Sequence, residues 1–213
     1  VSLRIWGSEK PNKKGEKMIS EHILKYSPYT LRKIRNCMID VNYLARNLPI
    51  RGKVLDFGCG VGLLSYDIAK KRKNLKIVGV DNNQHLIDLA NKYNKLENIE
   101  YKCAEISALG DEKFDAIVVV DVFHHIRLEE RQAFFELLKK LLNPKGTVII
   151  SEPPPTSKFS YFMDTYVSKS WFKLVSSKDM IEMVARNGFK MMDFVGRDFY
   201  WIVHSYYMVL KLP

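Results

Sequence analysis

Val54-Leu55-Asp56-Phe57-Gly58-Cys59-Gly60-Val61-Gly62-Leu63-Leu64 is the stretch whose reading decides the fold. Val54, Leu55 and Phe57 form a short apolar run suited to a central parallel strand, buried on both faces. Gly58, Gly60 and Gly62 follow where the chain must turn sharply and let a ligand lie against its backbone. A helix is expected from Leu63. The same three glycines also suit a strand-to-helix turn that needs them only for packing, so the next strand matters. Leu75 to Val80 is apolar and β-branched and ends in Asp81. An acid about twenty residues past a glycine loop is placed to accept hydrogen bonds from ribose hydroxyls.

Two cofactor classes use this strand, loop, helix, strand and acid. Dinucleotide sites favour G-x-G-x-x-G, with a pyrophosphate held at a helix N-terminus. Here the third glycine comes one residue early, and Asp56 sits just ahead of the loop. A carboxylate beside a pyrophosphate is electrostatically awkward, whereas beside an ammonium and a sulfonium it is favourable. The segment resembles motif I of the class I S-adenosylmethionine-dependent methyltransferases, an acid followed by G-x-G-x-G. The resemblance covers roughly residues 50–155 and continues in order through Val-Gly-Val-Asp81-Asn82, Phe114–Val120 followed by Asp121-Val122-Phe123-His124-His125-Ile126, and Leu142-Asn143-Pro144-Lys145-Gly146-Thr147.

That resemblance implies S-adenosyl-L-methionine as cofactor, with Asp56, Gly58, Cys59, Gly60 and Gly62 around its amino-acid end. Asp81 is implied on the ribose and Asn82 on the adenine side. Asp121 opens the loop implied to run under the methionine moiety. One departure stands at Cys103, where the family usually has an acid facing the adenine amino group. The adenine contact is therefore expected from the backbone near Ala104 or from Glu105.

Around the loop the pattern alternates. Strands are expected near 53–57, 75–80, 99–103, 114–120 and 147–151, with helices near 63–72, 83–94 and 128–142. A helix near 177–187 and two last strands near 189–196 and 200–211 close the chain as an antiparallel hairpin. The fold class is α/β: a doubly wound, mostly parallel, seven-stranded Rossmann-like sheet with ligands at the strands' carboxyl ends. The expected organisation is a basic arm and helices over 1–48 forming a cap, then the donor-binding domain over 49–213. An aromatic lid insertion is expected near 153–176, with Phe159, Tyr161, Phe162, Tyr166, Trp171 and Phe172. Trp6, Tyr26 and Tyr29 are placed to add to the acceptor pocket from the other side, and ordinary packing of an inserted helix is the competing reading.

Methyl transfer from a sulfonium needs alignment first, and a general base only if the acceptor must lose a proton. His125 is the first candidate for a base or an orienting group, as the family's histidine after the fourth strand; anchoring the loop is its structural alternative. Glu152, ending the fifth strand, is the second catalytic candidate, with a turn or cap partner as its structural alternative. Pro153-Pro154-Pro155 reads as a rigid exit turn.

Of the net charge of +10, +8 falls in residues 1–53, where twelve Lys and Arg meet four acids. A near-neutral core behind a basic leader suits an acceptor carrying an anionic group, and leaves RNA or an anionic membrane surface as other partners of that leader. No RNA-binding module is visible, so nucleic acid is not favoured. Cys37, Cys59 and Cys103 are too scattered for a disulfide framework or a zinc site, and no metal is expected. With no long apolar run and no signal-peptide pattern, a soluble cytoplasmic protein is expected. The function expected is S-adenosylmethionine-dependent methylation of a small acceptor of apolar or aromatic character. RNA methylation and a non-catalytic binding domain are the alternatives, and nicotinamide-dependent oxidoreduction is the least favoured. The acceptor atom and the oligomeric state are not readable.

Overall fold

The computed structural model describes Arg35, residues 38–162, Thr165, and residues 171–199 and 203–213. The basic leader, Trp6, Tyr26, Tyr29, Tyr166, most of the helical stretch over 19–48 and the side chains of Phe159 and Phe162 lie outside the described residues.

The apolar runs form the strands expected of them: β1 (Gly52–Phe57), β2 (Leu75–Asp81), β3 (Ile99–Cys103), β4 (Phe114–Val120) and β5 (Leu142–Glu152). They are followed by β6 (Lys190–Phe199) and β7 (Val203–Lys211). The helices are α1 (Val41–Asn47), α2 (Leu63–Lys71), α3 (Gln84–Tyr93), α4 (Arg131–Leu141), α5 (Lys158–Phe162) and α6 (Ser177–Arg186). The seven strands lie in the order β3-β2-β1-β4-β5-β7-β6. From β1 the chain winds outward to β2 and β3, then returns to place β4 on the other side of β1. That reversal opens a crevice at the carboxyl ends of β1 and β4, where ligands of such sheets bind.

Alternation along each central strand divides the core in two. Leu55, Val78, Ile117 and Ile150 pack on one face with Phe134, Phe135 and Leu138 of α4 and Met180 and Val184 of α6. Val54, Ile77, Val118 and Ile149 pack on the other with Leu44 of α1, Leu64 and Ile68 of α2 and Ile87 of α3. Because both faces are covered, these strands read as continuous apolar runs. β7 pairs antiparallel with both β5 and β6, from Glu152↔Tyr206 to Thr147↔Lys211 on the β5 side. Among the described residues no helix is long and apolar enough to cross a membrane.

β6 runs on to Phe199 rather than ending near 196, and two further boundaries differ from the sequence reading. Leu128–Glu130 is a separate 3-10 turn, so α4 begins at Arg131 rather than at 128. β5 begins at Leu142 rather than at 147, because Leu142 pairs with Phe114 and the register then shifts so that Thr147 pairs with Ala116. The intervening residues bulge, with Lys145 at φ +68° and the Asn143 amide donating to Asp115 at 2.9 Å.

Candidate active site

The turn after β1 is held from below by β2: the amides of Gly58 and Cys59 both donate to the Val80 carbonyl, at 2.8 and 3.1 Å. All three loop glycines have positive φ, but their missing side chains serve different ends. A Cβ on Gly58 would collide with Val122, and one on Gly62 with the Tyr101 ring, so those two glycines allow the protein to pack against itself. At Gly60, φ +52°, nothing lies within 4 Å of where a Cβ would sit. Gly60 is the position at which bare backbone faces open space.

Asp81 stands directly beside it. One carboxylate oxygen accepts the Gly60 amide at 3.0 Å and the other accepts the Asn83 amide at 2.9 Å. Burial pushes the Asp81 carboxyl up, against the pull of hydrogen bonds from the Asn83, Gly60 and Asn82 backbone. Asn83 then caps α3 through its side chain, which accepts from the His85 and Leu86 amides. Asn82 lies next to Cys103, whose thiol is 3.6 Å from the Asn82 carbonyl. The Ala104 amide donates to the Asp81 carbonyl at 3.1 Å, and Glu105 is exposed at the same rim. The ends of β1, β2 and β3 therefore gather Gly60, Asp81, Asn82, Cys103, Ala104 and Glu105 along one edge.

Asp56 is the acid just ahead of the loop. Its carboxylate is 2 % exposed and accepts the Ser65 hydroxyl at 2.5 Å, which ties the end of β1 to α2. Burial raises its pKa to about 6, the Ser65 hydrogen bond and the Arg35 charge working the other way. Cys59 is buried in the loop; burial first, then the charges of Asp56 and Asp81, push its thiol well above the ordinary range, so it packs rather than reacts.

After β4, Asp121 takes the left-handed conformation at φ +54° and donates its amide to the Ser151 carbonyl at 2.9 Å. The next three amides turn inward onto Glu152. Val122 and Phe123 donate to one of its oxygens at 2.9 and 2.7 Å, His124 to the other at 3.3 Å, and His124 Nδ1 lies 2.5 Å from that second oxygen. Glu152 is fully buried, so it braces the loop from beneath. Both of its oxygens are occupied by these donors. The two histidines point apart: His124 points in, while His125 places Nδ1 3.1 Å from the Trp171 carbonyl.

Three supports were not read from the sequence. Tyr101 lies under the glycine loop, its hydroxyl 3.1 Å from the Gly62 carbonyl and 2.9 Å from that of Asn94, while the Asn94 amide donates to Val61 at 2.7 Å. Arg131 is buried under the loop after β4. Two of them carried a signal. Tyr101 alternates with Ile99 on the buried face of β3, and Arg131 shares an apolar helical stripe with Phe134, Phe135 and Leu138. A cavity of about 330 Å³ between residues 38–42 and the β6–β7 pair, lined in part by Asp40, Arg197 and Tyr207, includes none of the residues at the glycine loop.

An adenosyl-methionine donor fits the edge: bare backbone at Gly60 opens beside a buried carboxylate whose positions are fixed by main-chain amides. Residues 54–146 match the model of a methyltransferase domain family. The chain is 29% identical over 190 residues to the ubiquinone biosynthesis O-methyltransferase of Pelagibacter ubique, covering 82% of this chain and 77% of that protein. To the protein of the same name from Coxiella burnetii it is 31% identical over 118 residues, 53% of this chain and 49%, about half, of that protein's length. The fold matches that of magnesium protoporphyrin IX methyltransferase from Synechocystis PCC 6803 with bound SAH at a TM-score of 0.62 and 20% identity, over 99% of this chain and 91% of the other. Together these similarities support a class I S-adenosylmethionine-dependent methyltransferase.

Proposed function

We propose that this methyltransferase acts on a small molecule with an apolar or aromatic body. The observation that carries the reading is the wall beside His125. Trp171 and Tyr161 are 39% and 56% exposed, and Tyr161 meets Phe172 edge-on with ring centroids 5.6 Å apart. The Trp171 carbonyl is bound to the His125 ring itself. Relatives named for O-methylation in ubiquinone biosynthesis support an acceptor of this kind.

In this reading the cofactor supplies an activated sulfonium methyl, and the protein supplies alignment. Gly60, Asp81 and Asn82 hold the adenosyl end, with Ala104 and Glu105 at the adenine rim. Gly58, Cys59, Gly62 and Asp56 shape the turn, and Asp121 begins the loop that carries His125. Alignment alone is worth on the order of 7–11 kcal/mol of barrier. His125 faces the acceptor. A carbonyl only accepts, so Nδ1 carries the proton bonded to Trp171, and in the neutral ring Nε2 is the nitrogen that takes a proton from a hydroxyl acceptor. That step adds about 10²–10⁴-fold when the acceptor must be deprotonated.

The test is incubation with methyl-labelled donor and a panel of hydroxylated aromatic and polyprenylated phenolic compounds, with bulk RNA alongside and products followed by mass. Labelled small-molecule product is expected, and His125→Ala is expected to lower kcat by about 10²-fold or more at saturating substrates. Label found in RNA alone would overturn the acceptor class, and an unchanged kcat in His125→Ala would remove that residue from the chemistry.

A further inference from the structure

The loop after β4 does not stand alone. Residues Trp171–Val175 run alongside it and are tied to it at several points. The Lys173 amide donates to the His124 carbonyl at 2.7 Å, and the His125 ring bonds the Trp171 carbonyl at 3.1 Å. Arg131 joins the two segments directly: Nε donates to the Ile126 carbonyl and Nη2 to the Lys173 carbonyl, both at 3.1 Å. At the far end the Tyr206 hydroxyl donates to the Val175 carbonyl at 3.0 Å.

Arg131 is an expensive residue to place here. It is 7 % exposed, and its guanidinium lies over the Phe123 ring at 4.9 Å. A buried cation of this kind persists where its planar fork reaches two acceptors that no single point charge spans. Those acceptors belong to the two segments that flank the methyl-transfer centre. One is the loop that Glu152 braces through three amides and His124; the other presents Trp171 to the acceptor side.

We propose that Arg131, acting with the Glu152–His124 pair, is a positioning residue that locks the loop beneath the donor to the Trp171–Val175 strap, so that donor occupancy is transmitted to the acceptor-side wall. The proposal rests on the reading that this loop runs under the donor and that Trp171 faces the acceptor.

Trp171 reports on the lock. In a Trp6→Phe, Trp201→Phe background, S-adenosylhomocysteine is titrated while calorimetry records binding independently, and the Trp171 emission change is compared at full saturation. Arg131→Lys keeps a cation but loses the fork; Glu152→Gln keeps the shape but loses the charge. The background protein is expected to show a Trp171 response, and both variants to reduce its saturated amplitude at least about fivefold, as expected for loss of charge-assisted hydrogen bonds. Hydrogen exchange at the Lys173 amide gives a second reading, with ligand-induced protection expected in the parent and lost in both variants. Calorimetric binding with no Trp171 or Lys173 response in the parent, or with the full response in both variants, overturns the lock alone. Absence of binding in the parent would instead bring down the donor reading, and the lock with it.

Discussion

Asp56 holds a buried carboxylate whose pKa is raised to about 6, and the sign of that shift fixes a consequence for stability. Between about pH 4 and pH 6 the folded chain holds a proton that the unfolded chain has released, so stability falls as pH rises through this window. At neutral pH the penalty is on the order of 3 kcal/mol. Asp56→Asn is expected to flatten that part of the profile, measured by urea denaturation at pH 4.5 and 7.5; an unchanged slope would show that another group sets it. The glycines separate in the same way. Gly60→Ala places a side chain at positive φ with no neighbour to strike, so it is expected to cost only about 1–2 kcal/mol of stability while weakening donor binding at least tenfold. Gly62→Ala adds a collision with Tyr101 and is expected to cost more stability than Gly60→Ala in the same thermal melts. What was legible here was local. The acid, the three glycines and Asp81 announced a donor turn because their spacing fits one strand, loop, helix and strand in succession. That Gly58 and Gly62 answer to Val122 and Tyr101 depends on which strand lies beside which, and that Asp56 answers to Ser65 depends on how α2 packs back on β1.

At the scale of elements, α1 is fastened to the terminal hairpin by polar contacts. Asp40 caps the helix by accepting the Tyr43 amide at 2.8 Å, pairs with Arg197 at 2.7 Å and donates its own amide to the Tyr207 hydroxyl at 2.8 Å. Tyr43 donates to Asp193 at 2.6 Å, and burial together with that carboxylate pushes its phenol above the ordinary range. A double-mutant cycle on Tyr43→Phe and Asp193→Asn is expected to give a coupling of about 1 kcal/mol by equilibrium denaturation. Additive losses would mean that this pair does not help to fasten the helix. The strands and helices were readable from period and punctuation, and their limits less so. Leu128–Glu130 looked like the first turn of α4 because the turn runs into the helix with no glycine or proline between them. The early start of β5 required knowing that Phe114 would pair with Leu142 across a bulge. Glu152 was recognised as a strand-end acid, but its donors come from a loop thirty residues earlier, a pairing that only the parallel β4–β5 register creates.

For the whole molecule, the crevice at the sheet's reversal is where folding and binding meet. A ligand that binds only the folded state at a hundred times its dissociation constant adds about 2.7 kcal/mol. For a chain of 213 residues that corresponds to a melting shift of roughly 5–11 °C. S-adenosylhomocysteine is expected to produce such a shift in the parent and to lose it in Asp81→Ala at the same concentration; an equal shift in both would remove Asp81 from the donor site. The reversal of β7 against β5 has a practical corollary. Its last paired residue, Lys211, lies opposite Thr147, at the rim of the sheet away from Gly60 and His125. Anchoring the enzyme to a solid support through Lys211 therefore leaves the opposite rim facing the bulk, so immobilised enzyme can be screened against candidate acceptors without the matrix blocking their approach.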